Sequence, residues 1–172
     1  MASSDWKEFK PLDIGRIAKT LRRHEVQYVV IGGMAAVAHG LAWQTDDLDI
    51  CPASSRDNLG RLARALIDLD ARLRAQGLGP GGMRIKLDEK TWKFTPTMTF
   101  TTAAGPLDVS LRPDGTDGYR DLIRAAEDRE IEGVQMMVAA LEDIARSKEA
   151  AGRQKDLDRL PDLYRAIGRG DL

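Results

Sequence analysis

The chain has 172 residues, of which 42% are hydrophobic and 31% charged, a length and composition typical of one soluble globular domain with a sizeable core. Lys and Arg number 26 and Asp and Glu 27, so a net charge of −1 excludes a strongly basic surface over the whole protein, and any basic surface must be local. A single cysteine, Cys51, excludes an internal disulfide and favours a reducing compartment.

No apolar run reaches about 18 residues, and the N-terminal segment lacks the apolar stretch of a signal peptide. We therefore expect a cytoplasmic protein that does not span a membrane. Cys51 lies in the apolar stretch DICPA, which favours a buried structural thiol over a nucleophile.

The N-terminal half predicts alternating helices and strands. Apolar residues recur at helical spacing after Pro11 and again after a Ser54 or Ser55 N-cap, whereas VQYVVI is a short β-branched run that ends at two glycines. The predicted elements are a helix over 11–25, a strand over 26–31, a helix over 34–42, a strand over 47–53 and a helix over 54–76.

The C-terminal half predicts strands followed by helices. TMTFTTA and GPLDVSL are typical of two strands, which Gly105 and Pro106 join as a hairpin. The remaining predicted elements are a short helix from about Tyr119, a small hairpin about Gly133, and two helical stretches separated near Gly152, with Pro161 near a turn of the second. The order predicts an α/β or α+β sheet domain with a helical tail.

Carboxylates recur at two of the predicted strands. Side chains at i and i+2 of a strand point the same way, so Asp47 and Asp49 are expected side by side, where their repulsion needs a cation such as Mg²⁺. If the strand that carries Asp108 lies beside them, three carboxylates converge, as a two-metal nucleotidyl transfer requires. The alternative for Asp47 and Asp49 is a solvent-exposed strand at the edge of the sheet, with no metal. The alternative for Asp108 is an ordinary exposed position of an amphipathic strand.

Gly32 and Gly33 follow a predicted strand and precede a predicted helix. Glycines there let the backbone approach a ligand without Cβ interference, and the free N–H groups of a helix N-terminus favour phosphate oxygens. The alternative is a tight strand–helix turn with no ligand.

These residues carry a resemblance to a known family. VVIGGMAAVAHG followed by TDDLDI resembles the glycine pair and Asp-x-Asp signature of the polymerase-β-type nucleotidyltransferase superfamily. GPLDVSLRPDG and LEDIARSKEAAGRQKDLDRLPDL resemble the AbiEii/MenT-like group, many of whose members are toxins of toxin–antitoxin systems. The resemblance spans about residues 26–165. It implies a mixed β-sheet nucleotidyltransferase fold flanked by helices, with a catalytic core over 1–138 and a C-terminal helical segment over 139–172 packed on it as one compact unit.

The resemblance also implies site roles. Asp47, Asp49 and Asp108 would be the catalytic carboxylates and ligands of Mg²⁺, in one or two ions, with Asp108 also a base toward the acceptor hydroxyl. The nucleotide-binding residues would be Gly32, Gly33, Lys148 and Asp156, with Arg153 or Lys155 in support. Without the resemblance, Lys148 reads as a solvated helix lysine.

Two positions depart from the family pattern. Gly33 stands where many members have a serine whose hydroxyl helps to hold a phosphate, and Gln44 stands where several have arginine. Both departures are expected to weaken affinity for the nucleoside triphosphate (NTP) without altering the carboxylates.

The function expected is Mg²⁺-dependent transfer of a nucleoside monophosphate (NMP) from an NTP to an acceptor hydroxyl. A tRNA 3′ end or a protein side chain is the expected acceptor, and a cognate antitoxin an expected partner. The alternatives are transfer to an aminoglycoside or lincosamide antibiotic, and a nucleotide-binding or interaction module without turnover. The predicted helix over 54–76 also carries arginines on one face, which suggest either an RNA-contacting surface or an ordinary solvated face. These arginines are Arg56, Arg61, Arg64, Arg72 and Arg74.

Overall fold

The computed structural model describes residues 10–170, so the N-terminal segment examined for a signal peptide lies largely outside the described part of the chain. The described chain forms helices and a sheet in one α/β arrangement. In chain order the elements are α1 (Ile14–Arg23), β1 (Tyr28–Ile31), α2 (Gly32–Ala38), β2 (Leu48–Pro52), α3 (Arg56–Asp68), β3 (Arg72–Leu73), β4 (Thr97–Thr102), β5 (Gly105–Ser110), α4 (Tyr119–Leu122), β6 (Glu127–Ile131), β7 (Val134–Val138), α5 (Leu141–Ala151) and α6 (Gln154–Gly170).

The seven strands form one mixed sheet in the order β3-β4-β5-β2-β1-β7-β6. β2 lies at its centre, antiparallel to β1 and parallel to β5. β1 is in turn parallel to β7, and the β6–β7 hairpin completes that side of the sheet. On the other side β4 pairs with β5, and the short strand β3 pairs with β4 at the edge. The mixed α/β architecture predicted from the sequence is confirmed.

The helices bury their apolar faces because their apolar side chains recur at helical spacing. In α1 the Asp13 side chain caps the helix by accepting a hydrogen bond from the Arg16 backbone N–H at 3.0 Å. In α3 the Ser55 hydroxyl does the same for Asn58 at 3.2 Å. The core side chains with no solvent exposure include Ile14, Ile17, Leu21, Val29, Ile50, Leu62, Leu66, Phe100 and Leu107.

The bounds of two predicted helices and the position of one predicted turn were wrong. The helix expected over 34–42 begins at the glycine pair and spans Gly32–Ala38. The helix expected to reach residue 76 ends at Asp68, because Asp70 adopts a left-handed φ of 51° and the chain turns into the short strand β3. The β4–β5 turn lies at 103–104, and Gly105 and Pro106 already belong to β5.

The hairpin about Gly133 and the break near Gly152 are confirmed. Glu132 and Gly133 both have positive φ, of 50° and 81°, as a two-residue hairpin turn requires. Gly152 ends α5 at a φ of 65°, and α6 continues through Pro161. The division into a core over 1–138 and a helical segment over 139–172 falls at the end of β7, and it stays a prediction.

Within residues 10–170, no helix is both long and apolar enough to cross a bilayer.

Candidate active site

Two carboxylates lie side by side at the centre of the sheet. The parallel register of β2 and β5 pairs Asp49 with Asp108, so the two carboxyl groups lie on neighbouring strands. Asp49 also pairs with Ile31 of β1, and Asp108 with Thr99 of β4, so one row of residues crosses four strands. The structure therefore brings together two of the three carboxylates that the sequence singled out.

The surroundings of Asp49 and Asp108 disfavour two negative charges on the pair. Burial raises the pKa of Asp49 to about 8, with further contributions from the nearby charges of Asp108 and Asp47. Burial also raises the pKa of Asp108. Among the described residues, Asp108 Oδ1 is buried and accepts no hydrogen bond. A buried carboxylate oxygen without a partner is costly, so this pair needs a proton or a bound cation.

Asp47 lies just outside the strand that carries Asp49. β2 begins at Leu48, so Asp47 immediately precedes it. It lines a second cavity of about 550 Å³ with Arg74 and Pro106. Its charge still raises the pKa of both Asp49 and Asp108, so it lies near the pair. Its role as a metal ligand stays a prediction.

The glycine pair lies directly against the carboxylates. Gly32 has a φ of +67°, and a Cβ added there would overlap the Oδ2 atom of Asp49. Glycine is therefore required at residue 32 for both conformation and space. A Cβ added at Gly33 would lie 3.3 Å from Thr45 Oγ1, a tight but possible approach. The hydroxyl of Thr45 thus occupies the neighbourhood that a serine side chain at residue 33 would enter.

Lys148 and Asp156, which sequence reasoning linked only through the family resemblance, form an ion pair. Lys148 Nζ lies 3.4 Å from Asp156 Oδ1, and Arg153 Nε donates to Asp156 Oδ2 at 2.6 Å. Asp156 is 2% exposed. Although burial opposes it, the two cations hold the pKa of Asp156 below its ordinary value. Asp156 thus fixes Lys148, whose charge also acts on Asp49.

These residues line one cleft of about 620 Å³. The sheet contributes Asp49 and Asp108, the α2 turn contributes Gly32 and Gly33, and the helices α5 and α6 contribute Lys148 and cationic neighbours. The cationic side chains that line the cleft are Arg112, Lys148, Arg153, Lys155 and Arg159. A cleft that places several cations and a carboxylate pair together suits a polyphosphate and a divalent cation.

Sequence reasoning missed Trp43, Thr45 and Arg159, which also line this cleft. The Trp43 ring lies under the Arg159 guanidinium at 4.5 Å and under Lys148 Nζ at 5.7 Å, and its indole N–H donates to Asp162 at 3.0 Å. Trp43 therefore joins the loop before β2 to both C-terminal helices. In the sequence, the only sign of this contact was a single tryptophan between the glycine pair and the aspartates.

The other residues that the sequence singled out lie outside the carboxylate pair. Gln44 is exposed and lines the cleft. Cys51 is buried, and burial raises the pKa of its thiol to about 12, as expected of a structural cysteine. Among the arginines of 56–74, Arg56 and Arg64 are exposed, whereas the three others are half-buried: Arg61, Arg72 and Arg74.

No protein-family model and no curated protein sequence matches the chain. Solved structures do. The antibiotic-resistance factor ANT(2'')-Ia aligns with a TM-score of 0.59 at 14% identity, over 91% of this chain and 83% of that one. The lincosamide antibiotic adenylyltransferase LnuA, in a lincomycin-bound structure, aligns with a TM-score of 0.59 at 11% identity, over 90% and 98%.

A third structure, of a protein from Thermotoga maritima, aligns with a TM-score of 0.56 at 14% identity, over 88% of this chain and 90% of that one. At such identities the likeness concerns the fold. The chain has the nucleotidyltransferase fold.

Proposed function

We propose that the protein is a Mg²⁺-dependent nucleotidyltransferase that moves an NMP from an NTP to an acceptor hydroxyl. The observation that carries the proposal is the Asp49–Asp108 pair, buried at the centre of the sheet and open to a cleft lined by Lys148 and other cations. The nucleotidyltransferase fold supports it. Such a pair is destabilising unless a proton or a cation binds it, and Mg²⁺ together with nucleotide phosphates would supply the cation.

The residues fit a magnesium ion bound together with its nucleotide. Within residues 10–170 no group of three or more His, Cys, Asp or Glu side chains is arranged to hold a metal by itself. Mg²⁺, however, is commonly held by one or two carboxylates together with substrate phosphates. Asp49 and Asp108 supply the carboxylates, and the unpartnered Oδ1 of Asp108 is a free ligand position. When bound, the ion would neutralise charge on the phosphates and the acceptor oxygen.

The chain's own residues would then bind and orient the reactants. Lys148, fixed by Asp156, would hold the triphosphate, and the Gly32 turn would let phosphate oxygens approach the backbone. In the reaction the acceptor oxygen forms a bond to the α-phosphorus, the bond from that phosphorus to the oxygen bridging to the β-phosphorus breaks, and pyrophosphate leaves. Asp108 would accept the proton of the acceptor hydroxyl.

The acceptor and the biological role rest on the resemblance to the AbiEii/MenT-like group. That resemblance favours a tRNA 3′ end or a protein side chain as acceptor, and a toxin paired with an antitoxin as the biological role. The location expected for such a protein is the cytoplasm.

A second candidate is transfer to an antibiotic. The observation in its favour is that the chain shares its fold with LnuA bound to lincomycin and with ANT(2'')-Ia in complex with adenylyl-2''-tobramycin. Both structures cover about nine tenths of this chain.

Incubation with each α-labelled NTP and Mg²⁺ tests both candidates when total tRNA, a protein extract, tobramycin and lincomycin are offered separately. We expect label in tRNA or protein, and none with the Asp49→Asn variant. Label in an antibiotic would select the second candidate. Absence of label from every acceptor, together with nucleotide binding, would instead indicate a binding module without turnover.

A further inference from the structure

One edge of the sheet is basic although the protein as a whole is not. Residues 56–96, which run from α3 to the start of β4, contain nine Lys and Arg against five Asp and Glu, in a chain of net charge −1. We call the exposed cations of this segment the basic edge: Arg56, Arg64, Arg84, Lys86, Lys90 and Lys93. β3 and β4 form the outermost pair of strands on this side, so the basic edge lies at one end of the sheet.

The acidic residues of the segment neutralise only part of this charge. Glu89 pairs with Arg56 at 3.3 Å, and this contact also holds the loop before β4 against α3. Asp88 pairs with Lys86 at 3.7 Å, and Asp70 pairs with Arg84 at 3.2 Å. In the described part of the chain, Lys90, Lys93 and Arg64 have no carboxylate within ion-pair distance. The basic edge therefore presents uncompensated positive charge to solvent, and a polyanion would be attracted to it.

Phe94 directly follows Lys93 of the basic edge, and its ring is exposed to solvent. It is 90% exposed, by far the most exposed large hydrophobic side chain in residues 10–170. Lys93 Nζ lies 5.3 Å from the centre of the ring. An exposed aromatic ring beside ammonium groups suits a flat π-system carried on a phosphate backbone, because the ring stacks on a base while the lysines contact phosphates.

Phe94 lies close to one end of the cleft. Thr97, three residues further along, lines the cleft, and its hydroxyl lies 3.1 Å from that of Ser110 on β5. Three residues of extended chain span at most about 11 Å. A single-stranded chain whose base stacks on Phe94 could therefore place its next nucleotides in the cleft.

The order of the strands decides which end of the cleft this is. Gly32 directly follows β1, on the β1 and β7 side of the Asp49 strand, and the proposed function places phosphates of the triphosphate there. Thr97 and Ser110 lie on the other side, on β4 and β5. The basic edge thus adjoins the end of the cleft that remains for an acceptor.

We propose that the basic edge and Phe94 bind the single-stranded 3′ segment of an acceptor RNA and direct its terminal hydroxyl toward Asp49 and Asp108. This inference rests on the proposed function and selects among its acceptors. An aminoglycoside is itself a polycation and would be repelled by Lys90 and Lys93. A protein acceptor does not require an exposed ring for base stacking.

Fluorescence anisotropy with a fluorescein-labelled single-stranded RNA of about 12 nucleotides tests the proposal. We expect Phe94→Ala to weaken binding about tenfold, and Phe94→Trp to bind as the wild type does, since stacking is retained. Lys90→Glu with Lys93→Glu should flatten the salt dependence, lowering the slope of log K against log salt by about 1.4 in magnitude. Arg124→Glu is the matched control, because Arg124 is exposed just before β6, at the opposite end of the sheet.

Thermal shift with Mg²⁺ and a non-hydrolysable NTP, measured on the same variants, separates this inference from the proposed function. A nucleotide-induced shift with no RNA binding would overturn the inference alone, and absence of the shift would count against the proposed function. The inference is also overturned if Phe94→Ala binds normally, if Arg124→Glu weakens binding as much as the lysine variants, or if DNA of the same sequence binds more tightly. Equal competition by polyglutamate would point instead to an acidic protein partner.

Discussion

The space that a side chain at Gly32 would need is filled by the carboxylate of Asp49. Gly32 adopts a φ of +67°, and a Cβ there would overlap Asp49 Oδ2. The glycine and the carboxylate, seventeen residues apart, therefore form one unit: the absence of a side chain at residue 32 lets Asp49 project into the cleft beside Asp108.

Gly32→Ala is expected to damage both stability and activity. The left-handed backbone alone should lower the free energy of unfolding by about 1–2 kcal/mol, and displacement of Asp49 should reduce nucleotidyl transfer strongly. Gly33→Ala is the matched control, because Gly33 does not have a positive φ and its added Cβ meets only the Thr45 side chain, nearest at Oγ1, 3.3 Å away. Urea unfolding and transfer assays on both variants check this. Equal behaviour of the two variants would contradict it.

Asp49→Asn is expected to raise the stability of the protein without Mg²⁺ and to lower its activity. Above its raised pKa of about 8, Asp49 carries a buried charge beside Asp108, so removing that charge should raise the melting temperature measured above this pKa without Mg²⁺. Loss of a metal-binding carboxylate should at the same time lower transfer by about 100-fold or more and abolish stabilisation by Mg²⁺ and NTP. Calorimetry and transfer assays measure both.

Asp46→Asn provides the control, since Asp46 is exposed and does not line the main cleft. It should match the wild type in transfer and melting temperature. An Asp49→Asn variant with normal turnover would refute the mechanism.

Substitutions of Asp156 and Lys148 are expected to have different effects: the first on stability, the second on nucleotide binding. Asp156→Asn leaves Lys148 and Arg153 without their buried carboxylate and should lower the free energy of unfolding by about 1–3 kcal/mol. Lys148→Gln should alter stability less but raise KM for the NTP about tenfold, because Lys148 faces the cleft. Asp158→Asn, at an exposed position of the same helix, should do neither. Steady-state kinetics and chemical denaturation would show whether Lys148 serves the nucleotide or only the fold.

Asp121 gives a stability that depends on pH. Arg146 donates two hydrogen bonds to its carboxylate, at 3.0 and 3.1 Å, and holds the pKa of Asp121 below its ordinary value. A group whose pKa is lower in the folded state stabilises the fold above its unfolded pKa, and this stabilisation is lost as the pH falls through the folded pKa. Asp121→Asn should therefore destabilise by about 1 kcal/mol at pH 7 and by nothing at a pH well below the folded pKa of Asp121.

Unfolding curves at the two pH values for Asp121→Asn check this sign. Asp128→Asn is the control, because Asp128 is exposed on β6 and has no ion-pair partner within residues 10–170. A difference between wild type and Asp121→Asn that grows on acidification would contradict the assignment.

Local patterns were enough to predict most elements of this fold. The run VVI before two glycines predicted β1, and the apolar spacing after Ser55 predicted α3, because burial of one face leaves a periodic signal in the sequence. The end of α3 could not be predicted in the same way. Leu73 continues its apolar periodicity, but the left-handed turn at Asp70 depends on the pairing of β3 with β4, which is not local.

The sequence by itself determined that a glycine pair is followed by a strand bearing Asp49, and that Asp108 lies in a later strand, since side-chain alternation and turn chemistry are local properties. Only the tertiary structure decided that β5 lies parallel to β2, so that Asp108 lies beside Asp49, and that Asp47 falls outside β2, where it meets a second cavity. The same holds for the contact of Lys148 with Trp43, which forms because the C-terminal helices pack against the loop before β2. Periodicity specifies which face a residue occupies, whereas strand pairing and helix packing between distant segments specify its neighbours.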